Sequence, residues 1–292
     1  MLRHIDLVEL DVVPAELSSD LHAKWQRLQS ILRLLRRVLV AYSGGIDSTL
    51  VLKVAHDVLG EDALGVISDS PSLPRRELRD ALDVARLIGA RIRIVYSDEL
   101  DDPNYAANPL NRCYFCKFHL HSHLWRIAHE EGYAHIVDGT NLDDVGDYRP
   151  GQQAARELGV HSPLREAGLT KADVRALARY LGLPNWNKPA MACLSSRIPY
   201  GTPVTREALR RVEQAEDALH RLGFEQLRVR HHDILARIEV PLDVFPRVLE
   251  SRERIIAAVR EAGYTYVTLD LDGFRSGSSN EVLKQKVGSK RG

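Results

Sequence analysis

The sequence predicts an α/β protein: a Rossmann-like domain with a parallel sheet, followed by a smaller C-terminal α+β domain. Three observations carry this. Short apolar strands alternate with helical stretches through the first part of the chain, the pattern of a parallel sheet with helices on both faces. A buried strand, Val38–Ala41, runs into Ser43-Gly44-Gly45-Ile46-Asp47-Ser48 and then a helix. Beyond a stretch rich in Pro and Gly, the order changes to helix, strand, strand, helix, strand.

Residues 16 to 36 read as an amphipathic lead-in helix, with Leu17, Leu21, Trp25, Leu28, Leu32 and Leu35 near one stripe. Val38–Ala41, Ala63–Ser68, Arg91–Tyr96 and His135–Asp138 read as strands, with helices near 48–59, 75–88 and 116–131. A helix over Lys171–Leu181 has Thr170 as N-cap and Gly182 as stop. Pro184 to Pro203 is irregular and marks the boundary. The expected organisation is 1–183, a linker 184–204 carrying Cys193, and 205–292. In the last part a helix is expected over 205–222, strands over 227–232 and 235–240, a helix over 243–262 and a strand over 265–271. The tail beyond Gly273 reads as partly disordered loop.

The chain has 292 residues, with 40 Lys+Arg against 40 Asp+Glu and a formal net charge of +0. A nucleic-acid-binding enzyme usually carries a cationic surplus, so a small-molecule substrate is expected. At 44% hydrophobic the chain can bury a sizeable core. No apolar run approaches the ~20 residues that span a bilayer, and Met1 to Pro14 does not read as a secretory leader. Three cysteines are too few for a disulfide framework, so a reducing cytoplasm is expected.

The segment Ser43–Ser48 is a phosphate cradle. Its glycines permit a tight turn and close backbone approach, and the following helix aims its N-terminus at the same point. It lacks the Lys of a G-x-x-x-x-G-K-[ST] loop. Cys193 lies in the boundary segment with Lys188 and Arg197 nearby in sequence; cations favour the nucleophilic thiolate, though a small buried hydrophobe is equally compatible. Cys113 and Cys116 form one C-x-x-C. With Cys193 they suit a [4Fe–4S] cluster having one open iron. With His119 and Cys193 they suit zinc; a redox pair or inert thiols also remain open. The stretch Asp138–Gly151 follows a strand and suits Mg²⁺ or ribose contacts, or is a polar loop. Arg228 and Arg230 share one strand face, and Arg237 and Glu239 lie on the next strand. This is a phosphate clamp or a solvated face with cross-strand ion pairs.

The motif S-G-G-x-D-S resembles the PP-loop of the ATP pyrophosphatases, which cut ATP between the α and β phosphates. Ser43–Ser48, Asp138–Gly151, Ser162-Pro163-Leu164, Thr170-Lys171, Lys188–Gly201, Leu227–His231, Ala236–Val240 and Leu269–Gly277 together resemble the LarE-type ATP-dependent sulfur transferases. The resemblance implies ATP and Mg²⁺ as cofactors, held through Ser43, Gly44, Gly45, Asp47, Ser48, Ser68 and Gly139. It implies Cys193 and Asp47 as catalytic residues. It implies a mononucleotide substrate whose phosphate meets Ser196, Arg197, Arg228, Arg230 and Glu239, with metal binding as the alternative role of Glu239. That family either sacrifices one cysteine's sulfur or uses three cysteines to hold a [4Fe–4S] cluster. Cys113, Cys116 and Cys193 match the second type, which implies a separate sulfide source. A homo-oligomer, dimer or hexamer, is implied as well, with no nucleic-acid or membrane partner. The rivals are a tRNA thiolase, an amidotransferase that would not need Cys193, and a non-catalytic nucleotide-binding or iron–sulfur carrier protein.

Overall fold

A computed structural model describes residues 17–146, 150–189 and 192–275. Asp147, Tyr148, Arg149, Met191 and most of the tail expected beyond Gly273 therefore lie outside the described residues.

Four strands form the first sheet: β1 (Val38–Ala41), β2 (Ala63–Asp69), β3 (Arg91–Tyr96) and β4 (His135–Val137). They are all parallel and ordered β3-β2-β1-β4. Alternating side chains divide β1 between two cores, as a strand's period of two requires. Val38 and Val40 face a core that includes Leu28 and Leu32 of α1 (Ser19–Leu35) and Leu50 and Val54 of α2 (Ile46–Leu59). Leu39 and Ala41 face the other core, with Leu124 and Ala128 of α5 (Arg112–Glu131) and Ala155 of α6 (Pro150–Glu157). Helices thus cover both faces. Gly65 of β2 lets α2 and β3 close in: a Cβ there would lie 2.4 Å from Ile92 Cδ1 and 3.1 Å from Leu52 Cδ1.

The expected helix over 75–88 is α3 (Arg75–Ile88). The short helices α4 (Pro103–Ala106) and α7 (Pro163–Glu166), together with α6, were not expected from periodicity; each opens on a proline at a loop. In α8 (Lys171–Tyr180), Thr170 and Asp173 form a reciprocal capping box. Gly182 follows with a φ of 68°.

The second sheet contains β5 (Arg228–His232), β6 (Leu235–Glu239) and β7 (Tyr266–Leu269), in that order. β5 and β6 are antiparallel, and β6 and β7 parallel. Helix α9 (Arg206–Arg221) packs on this sheet through Ala215 and Leu219. The single helix expected over 243–262 is instead two, α10 (Phe245–Glu250) and α11 (Arg252–Glu261), preceded by a 3₁₀ turn at Leu242–Val244. Pro246 suits only a first turn, and Ser251 separates the two helices.

The boundary segment is packed. Leu194, Ile198 and Val204 share a core with Tyr105 of α4 and with Leu209 and Val212 of α9. Partly buried Phe115 and Cys116 pack against it. This joins the two sheets through the loop that bears Cys193.

Candidate functional site

Strand order reverses between β1 and β4, and ligands of open α/β sheets bind outside such a reversal, at the carboxyl ends of the strands. A cleft of about 500 Å³ opens there. Ser43, Asp47 and Ser48 line one side, Asp138–Thr140 follow β4, and Cys113, Lys117 and His121 of α5 line another wall.

The cradle is built by its own hydroxyls. Ser43 N–H donates to Ser48 Oγ at 3.1 Å, and Ser48 Oγ donates to Gly45 O at 3.1 Å. The two serine hydroxyls are 3.0 Å apart. Gly44 has a φ of 72° and abuts α3, where a Cβ would meet Ala81 Cβ at 2.4 Å. From beneath, Tyr42 donates to Ala81 O at 2.8 Å, and Asn185 Nδ2 donates to Gly44 O at 3.1 Å. Burial pushes the Tyr42 phenol up to about 12. No side chain caps α2, which leaves its first-turn N–H groups for an anion. Gly139 is a place of close approach: an added Cβ would stand 2.6 Å from Ser48 N.

Asp47 is held between two residues. Lys171 Nζ ion-pairs with its Oδ2, and Asn141 Nδ2 donates to its Oδ1 at 3.0 Å. Asp138 accepts from Thr140 N and Oγ1 at 3.0 and 2.9 Å. Asp47, Asp138 and Asp144 are carboxylates of the cleft wall, the oxygen donors a phosphate-borne Mg²⁺ uses. Among the described residues no three such ligands converge on a single ion position. Ser68, at the end of β2, is 2.6 Å from Ser97 Oγ.

Cys113 lines the cleft, while Cys116 packs against the core that holds Leu194 of the Cys193 loop. Cys113 and Cys116 sit in its first turn, one turn apart on one face. Cys193 begins a 3₁₀ turn, Leu194–Arg197, and Leu194 N–H donates to Ser72 O at 2.8 Å, tying this loop to the one after β2. Burial, then Glu99 and Cys193, pushes the Cys116 thiol up to about 12; burial and Cys193 raise Cys113 as well. Each cysteine thus lies within electrostatic reach of the others. Buried Arg112 donates to Ser195 O at 2.9 Å, and Tyr105 and Ser195 hydroxyls meet at 2.6 Å. His119, a conceivable zinc ligand from sequence, is engaged with Asp102 Oδ2 at 2.8 Å. Lys188 pairs with Glu77 at 2.7 Å and Asp80 at 3.3 Å, on α3.

The arginines form a cluster beside the Cys193 loop. Arg197 is 2% exposed. It grips both oxygens of Glu216 at 2.9 and 3.1 Å and donates to Ala192 O, Cys193 O and Ser196 Oγ. Sequence grouped Arg197 with the phosphate contacts; here its donors bind the loop itself. Arg230 grips Glu239 at 2.8 and 3.0 Å and donates to Ser196 O at 2.7 Å. Sequence reasoning paired Arg228 with Arg230 on one face. The register places Arg228 opposite Glu239, and Arg230 reaches that carboxylate diagonally. Arg228 lies over the Phe274 ring and donates to Arg275 O at 3.2 Å. Burial, then Arg197 and Arg230, disfavours its charge. Three guanidiniums against Glu216 and Glu239 leave an excess of positive charge.

The residues that sequence reasoning missed are Lys117, His121 and Tyr105. Asn141 lay inside the stretch read for Mg²⁺ or ribose contacts, and Lys171 inside a quoted motif without a role of its own. Only the i, i+4 spacing of Cys113, Lys117 and His121 signalled a common face.

No protein-family model matches the chain. Over 266 residues it is 44% identical to the pyridinium-3,5-bisthiocarboxylic acid mononucleotide synthase of Lactiplantibacillus plantarum, covering 91% of this chain and 96% of that protein. The chain belongs to this synthase family. An uncharacterized protein of Synechocystis sp. is 49% identical over 265 residues, covering 90% of this chain and 99% of that one. One of the subunits of the glutamine-hydrolysing GMP synthase of Archaeoglobus fulgidus is 25% identical over 187 residues, or 57% of this chain and 55% of that protein. The chain therefore has the PP-loop α/β fold with a second small sheet.

Proposed function

We propose that this member of the synthase family is an ATP-using enzyme that transfers sulfur. Its substrate on this reading is pyridinium-3,5-biscarboxylic acid mononucleotide, and its product carries thiocarboxylates in place of both carboxylates. The observation that supports it most is the shared cleft: Cys113, on the thiol-bearing helix, lines the same space as Ser43, Asp47 and Ser48 of the phosphate loop.

A carboxylate is a poor electrophile. Attack of its oxygen on the α-phosphorus of ATP expels pyrophosphate and makes an acyl-adenylate. A sulfur nucleophile then attacks the acyl carbon, and AMP leaves. Cleavage of the remaining bond to sulfur leaves a thiocarboxylate. The product would serve as precursor of the nickel-pincer nucleotide used by lactate racemase.

The residues divide the work. Ser43, Gly44, Gly45 and Ser48 supply hydroxyl and amide donors to the phosphates, and Gly139 holds that loop's floor. Asp47 would serve Mg²⁺ and fix the Lys171 ammonium beside the phosphates. Ser68 stands at the neighbouring strand end. Arg228 and Arg230, with Ser196 and Glu239, would form the mononucleotide phosphate site, a reading supported by the concentration of guanidiniums beside the Cys193 loop. Arg197 is assigned to positioning the Cys193 loop.

Cys113, Cys116 and Cys193 would hold a [4Fe–4S] cluster. Their number and thiol chemistry support that role, whereas among the described residues no three His, Cys, Asp or Glu side chains stand grouped as a metal site. When bound, the cluster supplies an open iron able to carry an added sulfide from an external source. Domain limits near 184 and 204, a homo-oligomeric assembly and a cytoplasmic location belong to the same proposal. Among the described residues no helix is long and apolar enough to cross a membrane.

Iron, acid-labile sulfide and a visible spectrum on anaerobically purified protein test the reading. About four irons per chain, lost when any one cysteine is changed, are expected. A colourless protein whose Cys193 loses ~34 Da on turnover would mean that this cysteine gives up its own sulfur.

A further inference from the structure

Helix α5 presents Cys113, Lys117 and His121 to the cleft at intervals of four residues, each step about 6 Å along the helix. The last of them has no role in the reaction described above. His121 is 1% exposed. Its Nδ1 has no hydrogen-bond partner among the described residues. Buried polar atoms in native proteins are almost always bonded, so an exception calls for a physical reason. An exception lining a ligand cleft points to a ligand atom as the missing partner. Burial, and then Lys117, pushes the imidazole down to about 3. The ring is therefore neutral near pH 7 and offers an N–H together with an acceptor.

The surroundings indicate which part of a ligand it meets. Ser43, Ser48, the first-turn amides of α2 and the Lys117 ammonium border the same cleft. These donors suit phosphate oxygens, and Asp47, Asp138 and Asp144 on the same wall suit the Mg²⁺ that such phosphates carry. Gly151 of α6 keeps it tight, since a Cβ there would lie 2.8 Å from Lys117 Cγ. A neutral imidazole adds a donor without burying a cation close to the exposed Lys117 ammonium.

We propose that His121 is a binding residue for the pyrophosphate portion of ATP, hydrogen-bonding a phosphate oxygen at the floor of the cleft. The proposal rests on the nucleotide reading above and deepens it. After adenylation the same contact would hold the departing pyrophosphate apart from AMP.

The test is calorimetric titration of the full chain with Mg²⁺-pyrophosphate, with Mg²⁺-ATP and with AMP. The proteins are wild type, His121→Leu and His121→Asn, each first checked for cooperative thermal unfolding. His121→Leu is expected to weaken pyrophosphate and ATP about 10- to 100-fold, the range for a hydrogen bond to a charged group. AMP affinity should stay within about twofold. His121→Asn, which keeps a donor, should fall between. Pyrophosphate affinity unchanged in a folded His121→Leu, or in His121→Asn and wild type alike if the leucine variant does not fold, overturns the inference alone. Wild-type protein that binds neither ATP nor pyrophosphate overturns the nucleotide reading and this inference with it.

Discussion

Replacing Arg197 by Met tests whether this side chain builds the Cys193 loop or binds substrate. Its ion pair with Glu216 is almost closed to water, the two side chains being 2% and 8% exposed. The same guanidinium donates to Ala192 O at 2.6 Å and to Cys193 O at 3.1 Å. Glu216 accepts in addition from Val229 N at 2.9 Å, so the pair links α9, β5 and the loop. Removing one partner of a buried pair leaves an uncompensated charge and costs about 3–5 kcal/mol. For a chain of this size that is roughly 6–20 °C in Tm. Ligand-free thermal and urea unfolding is the assay. The double variant Arg197→Met with Glu216→Leu should lose less than Arg197→Met alone, because no charge is then stranded. Arg197→Lys should fall between, retaining charge without the planar fork. A ligand-free loss below about 1 kcal/mol, the level of an exposed pair, would refute the reasoning. It would return Arg197 to the substrate phosphate, where only mononucleotide affinity should change.

Other outcomes follow from the site. Gly139→Ala puts a Cβ 2.6 Å from Ser48 N and 2.9 Å from the Asp47 carbonyl carbon, backbone that cannot swing away; pyrophosphate release should fall, with an overpacking cost of about 1–3 kcal/mol in unfolding assays. Asp47→Ala and Ser48→Ala should abolish adenylation while the far-UV spectrum stays native; wild-type pyrophosphate release from either would sink the cradle assignment. His121 has its imidazole lowered from the ordinary 6.5 to about 3. The unfolded chain therefore binds this proton first, and stability is lost as pH falls from about 6.5 toward 3. Between pH 7 and 5.5 the wild type should lose about 1 kcal/mol more than His121→Leu; parallel pH profiles would exclude a buried neutral histidine.

The sequence by itself determined the α/β class, the phosphate loop and its strand–turn–helix setting, because these are local. Val38–Ala41 is a continuous apolar run, Gly44 needs a φ of 72°, and Thr170 caps its own helix. It also paired Cys113 with Cys116 as one C-x-x-C but began the helix at 116; the fold starts α5 at Arg112 and so brings both cysteines onto one helical face. What lies across long sequence separation was not legible. The 243–262 segment read as one helix because its apolar periodicity continues across Ser251, whereas packing divides it. Only the fold gave Arg197 to Glu216, Arg230 to Glu239 and Asp47 to Lys171. An ion pair has no sequence signature when its partners come from different elements. Likewise, His121 reads as one more residue on a polar helix. Its burial, its lack of a hydrogen-bond partner for Nδ1 among the described residues and its place in the cleft arise only when α5 docks beside the ends of β1 and β4 and excludes water from the imidazole.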